Sequence, residues 1–377
     1  MENLTNLFTD YNSEQIILNI NTNATTNTAI MTTNTITDSN FKQIVININT
    51  NSTNAAIMTT AIMTTNTITD SNSEQIVLNT NTAANNVSVD VITETLGERM
   101  KKYEAEHDYE IPPYHAIIVR SDGHDFSSLT RNCEKPCDVN FTKAMVKTMK
   151  DTVEHVNART GYTHSDEITL IFAPTCTFEE YQNSLNGGNP VQKHIYNGRI
   201  QKIVSLISAY CSVRFNEHFK MLINSCSDKY NDRFIKLVNS NIQIFDCRIL
   251  DFPPDKIYEV VNHQIWRSVC DSETNATNSF AQKFIGQKKI IGKKCSEMKI
   301  MLLEYGIDWL QIPIWIKHGI YCKKILFETE INGKICTRSN YVFKKFKINF
   351  SPENIDMLLN KFWTNYDDKI ELEEFVF

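Results

Sequence analysis

Residues 161–172 read GYTHSDEITLIF, which sets two adjacent carboxylates, Asp166 and Glu167, directly ahead of a run of strand formers suited to burial. An unpaired buried charge is strongly unfavourable, so acids at such a place need a partner. Asp122 suggests what that partner is. It follows the apolar stretch HAIIVR at 115–120 and precedes Gly123. If the two strands are neighbours in one sheet, Asp122 and Asp166 meet at its edge, and a divalent cation between them removes their repulsion. Such oxygen ligands suit Mg2+, which takes one or two carboxylates and fills its other positions with water and phosphate oxygens. Taken singly, Asp122 is equally well explained as the start of a turn with Gly123. With Asp166-Glu167 in the same fold, a metal site is the better explanation.

Groups suited to phosphate accompany these acids. The turn Asp122-Gly123-His124-Asp125-Phe126 presents consecutive backbone N–H groups, an anion nest beside the metal. Lys135, Arg199 and Lys202 add positive charge, and Arg199 and Lys202, three apart on a helix, project from one face where a triphosphate or an RNA end has room to lie. By itself that pair is an ordinary solvated helix face.

The elements that must hold these residues follow from periodicity. His115–Arg120 reads as a short strand, Ile168–Phe172 as the next and Ile242–Leu250 as a third, closed by Pro253-Pro254. Between them, Phe141, Ala144, Met145, Met149, Val153 and Val156 fall at helical spacing behind Asp138, a suitable N-cap. Ile200, Ile203, Val204, Ile207 and Cys211 mark a second amphipathic helix, and Ile257–Trp266 a third. Strand, helix, strand, helix, strand predicts an α+β fold, a ferredoxin-like antiparallel sheet with helices on one face.

Composition divides the chain of 377 residues. Residues 1–98 hold nine acids, a single basic residue, Lys42, and no Trp; their net charge is −8, so the overall −6 leaves the remainder near neutral at +2. The phrases Gln15-IILN, Gln43-IVIN and Gln75-IVLN repeat, as does IMTTNTITDSN at 30–40 and 62–72. The spacing drifts and large side chains are few, so we expect an Asn/Thr-rich, mostly disordered tail over residues 1–90. A catalytic domain over 91–255 and its C-terminal part over 256–377 follow. The ten cysteines lack metal or disulfide spacing and read as free thiols in a reducing compartment, Cys133 and Cys137 being the one close pair. No apolar run reaches the ~20 residues that span a bilayer, and no leader pattern is present, so the expected location is the cytoplasm, away from membranes.

The blocks HAIIVRSDGHDFSSLTR, KPCD, FTKAMVKTMKDTVEHVNARTGYTHSDEITLIF, GRIQKIVSLISAYCSVRF, FDCRILDFP and WRSVCDSETNATNSFAQ, in this order across residues 100–325, closely resemble those of tRNA-histidine guanylyltransferase and its relatives, the 3′-to-5′ polymerases. The resemblance implies a polymerase-type palm that adds nucleotides to the 5′ end of RNA with two Mg2+ ions about 3.5–4 Å apart. It further implies ATP and GTP or other nucleoside triphosphates as substrates, tRNA as partner and a homotetramer. Matched position by position, Asp122, Asp166 and the Gly123 carbonyl fall on the metal ligands and Glu167 on the adjoining acid. Gly123, His124, Asp125 and Phe126 fall on the triphosphate cradle, with Ser165 beside it, and Arg120, Lys135, Arg199 and Lys202 on the basic positions. Asp246 and Arg248 fall in the FDxR block. A monophosphorylated RNA end is first adenylylated by ATP in this chemistry. The 3′-hydroxyl of the incoming nucleotide then displaces AMP, or pyrophosphate from a triphosphorylated end.

Departures from the family pattern point to one branch. Ser121 stands where an apolar residue is usual. Where histidine-tRNA enzymes carry His-Ile-Asn-Asn after the WR element, this chain has Ser272-Glu273-Thr274-Asn275, then Asn278-Ser279-Phe280-Ala281-Gln282. That resembles the branch that repairs truncated tRNA 5′ ends, with Thr274 in place of the usual Arg and one residue inserted. We therefore expect templated 5′-end repair, with addition of G to histidine tRNA as the alternative. Lys283, Lys288, Lys289, Lys293, Lys294 and Lys299 form a basic stretch fit for an RNA backbone or for solvent. Trp309 and Trp315 read as core. A nucleotide cyclase shares the palm but does not account for KPCD or the WR block. A catalytically silent tRNA-binding module has no need of Asp122, Asp166 and Lys135.

Overall fold

A computed structural model of the chain describes residues 97–331 and 333–363 with their side chains. It describes the backbone alone for 92–96, Phe8–Asn12, Gln15–Thr22, Thr28–Thr33, Gln43–Thr50, Thr60–Thr65, Gln75–Asn81 and Lys369–Ile370. The chain divides into two units, Met1–Asp108 and Tyr109–Phe377. The first contains the repeats and ends beyond residue 90 because it takes in the helix Leu96–Ala105. Within it the repeated phrases pair in parallel and in register, Gln15 opposite Gln43 and Gln43 opposite Gln75, Thr28 opposite Thr60. Composition alone predicts little regular structure there, but near-identical copies of one phrase can set like opposite like along a ladder. The residues between these strands lie outside the described ones, and so does the expectation of disorder for them.

The second unit is built on one sheet. Its strands are β1 (Ala116–Gly123), β2 (Thr160–His164), β3 (Glu167–Phe172), β4 (Phe245–Phe252), β5 (Ile320–Ile331) and β6 (Lys334–Lys344). Helix α1 (Val139–Val156) joins β1 to β2, and α2 (Ile200–Ser225) lies between β3 and β4. The order β4-β1-β3-β2, all antiparallel, is that of a ferredoxin-like sheet, extended beyond β2 by β5 and β6.

Alternation in the strands explains the layering. Ile117, Val119, Ile168 and Leu170 face α1 and α2 and pack with Met145, Met149, Val153, Ile203, Ile207 and Phe215. Ala116, Ile118 and Ile171 point to the opposite face, which is also covered: Val260, Val261, Tyr321 and Leu358 close over it. The sequence-based expectation placed helices on one face. Here β3 is buried at every position, as suits a strand covered on both faces.

Some elements differ from those read off the sequence. β1 runs through Asp122 to Gly123, because strands on both sides pair with it. β4 starts at Phe245 rather than Ile242. β2 was not anticipated, since TGYTH lacks an apolar run. Its Gly161 has a close-packing reason: a Cβ there lies 2.4 Å from Val153 Cγ2. Asp138 caps α1 as expected, accepting from the Asn140 and Phe141 N–H groups. Trp309 and Trp315 are buried, and all ten cysteines are free. Among the described residues no helix is long and apolar enough to cross a membrane.

Candidate active site

The β2–β3 hairpin turns at Ser165 and Asp166, with Ser165 in the left-handed region at φ 53°. The Asp166 carbonyl accepts the Gly123 N–H at 3.0 Å, which fixes this turn against the end of β1. In the ladder Glu167 and Asp246 both lie opposite Asp122. Residues directly opposite share a face, so three acids project on one side of the sheet edge.

They are not equivalent. Glu167 is buried, and its carboxylate is gripped from behind by Arg267: Nε donates to Oε1 at 2.9 Å and a terminal nitrogen to Oε2. Arg120 Nε approaches Oε2 to 3.8 Å. Burial raises the Glu167 carboxyl and Arg267 pulls it back down. Asp246 is exposed and pairs with Arg248 at 3.6 Å. Asp122 and Asp166 remain facing one another. Burial, and then the charge of Asp122, raise the Asp166 carboxyl above the usual carboxylate range. That is the electrostatic mark of two acids sharing a site.

The donors fit a Mg2+ site. Among the described residues no cluster of three or more His, Cys, Asp and Glu side chains could hold a metal. Since Glu167 is engaged by arginine, two carboxylates and the Gly123 carbonyl are what this edge offers. Mg2+ needs no more than one or two carboxylates when phosphate and water complete its shell.

Gly123 is required by contact. A Cβ at this position sits 2.4 Å from the Phe126 ring. Phe126 begins the short helix Phe126–Thr130 and is buried against Phe141, Phe215 and Phe245. The anion nest is narrower than the sequence suggested. Gly123 N–H goes to Asp166, and His124 N–H to the Ile244 carbonyl at 2.9 Å. The N–H groups of Asp125, Phe126 and Ser127, at the start of the short helix, are the remaining donors. Asp125, with φ 55°, accepts the Ser128 hydroxyl at 3.0 Å. His124 and Asp125 are themselves exposed.

Lys135 stands on the rim of a cavity of about 160 Å³. Its walls include Met145, His164, Ser165, Asn275, Phe280 and Trp315. The loop carrying Lys135 is tied down by Asp138, which accepts the Glu134 N–H at 2.9 Å and the Tyr230 hydroxyl at 3.0 Å. His164 contributes a ring nitrogen: Nε2 donates to the Ile316 carbonyl at 2.9 Å, and desolvation holds the ring's pKa down at about 4, so the ring is neutral with Nδ1 unprotonated.

Arg199 and Lys202 are not brought to this edge. Cys211 Sγ is 3.7 Å from Ser121 Oγ, and Arg199 lies twelve residues earlier along α2, about 18 Å up the helix. There it bridges to Glu110, ahead of β1. Spacing alone puts these two on one helix face; in the fold Arg199 is the N-cap, just ahead of α2, and Lys202 stands in its first turn. Conversely, Arg267 was missed as a site residue. The one signal for it is charge balance: a buried Glu167 needs a cation, but nothing local singles out Arg267, 100 residues further on. In the basic stretch, Lys299 pairs with Glu273 and Lys293 with Glu297, while Lys283, Lys288 and Lys294 are exposed.

The family model described as tRNAHis guanylyltransferase (Thg1) matches residues 97–253. An uncharacterized protein of Acanthamoeba polyphaga mimivirus is 39% identical over 277 residues, covering 73% of this chain and 92% of that protein. Among solved structures, a bacterial tRNA(His) guanylyltransferase-like protein in complex with ATP is 28% identical, with a TM-score of 0.48, over 60% of this chain and 87% of that one. For such a protein in complex with GTP the values are 25%, 0.47, 65% and 90%. For the tRNA(His) guanylyltransferase of Saccharomyces cerevisiae they are 21%, 0.43, 58% and 90%. With the palm strands and their acids lying inside the matched segment, the chain belongs to the tRNAHis guanylyltransferase family of nucleotidyltransferases.

Proposed function

We propose that the protein is a template-dependent 3′-to-5′ nucleotidyltransferase that adds nucleotides to the 5′ end of truncated tRNA. The observation that carries this reading is the turn of Asp166 bonded to the end of β1 at Asp122-Gly123, next to a cavity lined by Ser165 and Lys135. Asp122, Asp166 and the Gly123 carbonyl would hold Mg2+, which would supply Lewis-acid stabilisation of the transferring phosphoryl group and make the attacking hydroxyl more acidic. Lys135 and the N–H groups of Asp125, Phe126 and Ser127 neutralise and orient a triphosphate. The cavity takes the heterocycle. At about 160 Å³ it compares with the roughly 150 Å³ cavity that accepts benzene in an engineered protein. Ser165 lies between cavity and carboxylates, and Arg120 supports the edge through Glu167.

The choice of branch rests on Ser272–Asn275. This segment begins the helix Ser272–Phe284 and includes Asn275, which lines the cavity. Lacking the His-Ile-Asn-Asn of histidine-tRNA enzymes, the protein draws sequence information from pairing with the opposite acceptor strand. Action on tRNA in the cytoplasm, as a homotetramer, is part of the same reading and rests on the family resemblance. The test offers truncated non-histidine tRNAs with matching or mismatching triphosphates, and full-length histidine tRNA with GTP. Templated extension of several tRNAs is expected. A strong, anticodon-dependent preference for histidine tRNA overturns the repair reading in favour of single G addition.

A further inference from the structure

Residues Glu259–Ile265, Trp266–Asp271 and Ser272–Phe284 form one uninterrupted helical run, α3 followed by a π-helical turn and then a longer helix, α4 (Ser272–Phe284). A π turn widens a helix by one residue per turn and recurs at functional sites. This one aims Arg267 into the sheet, where the guanidinium forks onto Glu167, reaches Asp271 with its other terminal nitrogen and lies 4.7 Å from the Trp266 ring centre. Two turns further on, Ser279 Oγ donates to the Pro136 carbonyl at 2.7 Å, and Asn275 lines the cavity. One helical run therefore grips both halves of the site: the hairpin that carries Asp166 and the loop that carries Lys135.

We infer that Arg267 is a positioning residue for the nucleotidyl transfer, setting the register between the metal-binding hairpin and the triphosphate loop. It touches no reacting atom. Its fork fixes Glu167, and with it the turn at Ser165 and Asp166, relative to Asn275 and Ser279 on the same helix. Glu167 has a second cation in reach, because Arg120 Nε has no hydrogen-bond partner and lies 3.8 Å from Oε2. Loss of Arg267 thus lets the carboxylate swing toward Arg120 and carry the hairpin with it. A lysine can satisfy one carboxylate oxygen but cannot reproduce the two-pronged hold, so it restores the geometry in part.

The inference rests on the reading of Asp122 and Asp166 as metal carboxylates, and the experiment separates the two. Mn2+ binding to the full-length protein is followed by electron paramagnetic resonance, with and without a non-hydrolysable GTP analogue. Arg267→Met, Arg267→Lys, Ser279→Ala and Asp166→Ala are compared, with thermal midpoints recorded alongside. Expected for Arg267→Met is a loss of at least about tenfold in Mn2+ affinity in the nucleotide complex, with a raised nucleotide KM; Arg267→Lys recovers part of both. Ser279→Ala disturbs no buried charge and carries the test if Arg267→Met fails to fold. It should raise the nucleotide KM several-fold at an unchanged thermal midpoint and leave Mn2+ binding without nucleotide unaltered. Parent-like Mn2+ affinity and KM in folded Arg267→Met, or a parent-like KM in Ser279→Ala where Arg267→Met is unfolded, overturns the inference. Unchanged Mn2+ binding in Asp166→Ala instead overturns the metal reading beneath it.

Discussion

Replacing Gly123 with alanine adds one methyl group at the most constrained point of the site. Its backbone φ lies outside the left-handed region, so an L-residue is not conformationally strained there. The obstacle is packing: the new Cβ falls 2.4 Å from two atoms of the Phe126 ring and 2.8 Å from a third. Phe126 has little room to retreat, with ring centroids of Phe215 and Phe245 each 5.0 Å away and only 2% of its surface exposed. Overpacking of this kind costs about 1–3 kcal/mol, which for a unit the size of Tyr109–Phe377 lowers the thermal midpoint by roughly 2–5 °C. The functional effect is larger. Phe126 begins the short helix whose first N–H groups are proposed to hold the triphosphate, and a displacement of about 1 Å at a reacting geometry can cost ~10² in rate. Thermal unfolding and single-turnover extension of a truncated tRNA measure the two effects on one preparation. Combining Gly123→Ala with Phe126→Leu should relieve the clash and recover part of the stability. A Gly123→Ala variant that melts within about 0.5 kcal/mol of the parent and turns over within twofold refutes the packing argument.

Asp122→Ala and Asp166→Ala should each lower the single-turnover rate by at least roughly 10²–10³ at saturating Mg2+, as each removes a principal source of charge stabilisation; near-normal turnover by Asp166→Ala sinks the assignment. His263 is buried with both ring nitrogens unpartnered, and burial, reinforced by Arg267 and Arg120, depresses its pKa to about 4. The unfolded chain therefore binds the proton more readily, so stability is full above pH ~6.5 and falls as pH drops toward 4. His263→Phe should flatten that decline in pH-dependent melting curves, and an unchanged slope contradicts it. Deleting residues 1–90 should leave cooperative unfolding and extension activity intact, since the sheet and both its buried faces lie in Tyr109–Phe377. Loss of cooperativity tells against that.

What the sequence made legible was whatever a short window determines. The helix over Val139–Val156 with its Asp138 cap, the strand over Ile168–Phe172 and the conjunction of Asp122 with Asp166 each follow from periodicity, capping chemistry and the aversion of like charges to burial. What it concealed depends on sequence separation. Arg267 meets Glu167 across 100 positions, and no local pattern pairs them. The fate of the Gly123 and His124 N–H groups depends on Asp166 and Ile244, which reach them only through the sheet. Lys202 lies in the first turn of α2 as read, but Arg199 is its N-cap with an extended backbone, bridged to Glu110, and the axial position of that helix along the sheet, with Cys211 against Ser121, is a tertiary matter.

Asp122 lies on a strand laced to neighbours on both sides, directly opposite Glu167 and Asp246. Such a residue is an anvil: shifting it requires two ladders to slip together, and a one-residue slip would send every buried side chain of β1 to the other, differently packed face. On the proposed repair activity, any adjustment between successive nucleotides falls on parts other than this strand. These are the hairpin tip at Ser165, the Lys135 loop and the helical run that braces them. The two residues through which that run grips the site, Arg267 and Ser279, lie beyond residue 253, where the match to the family model stops. Substrate range can therefore drift in that run while the strands that carry the acids stay as they are.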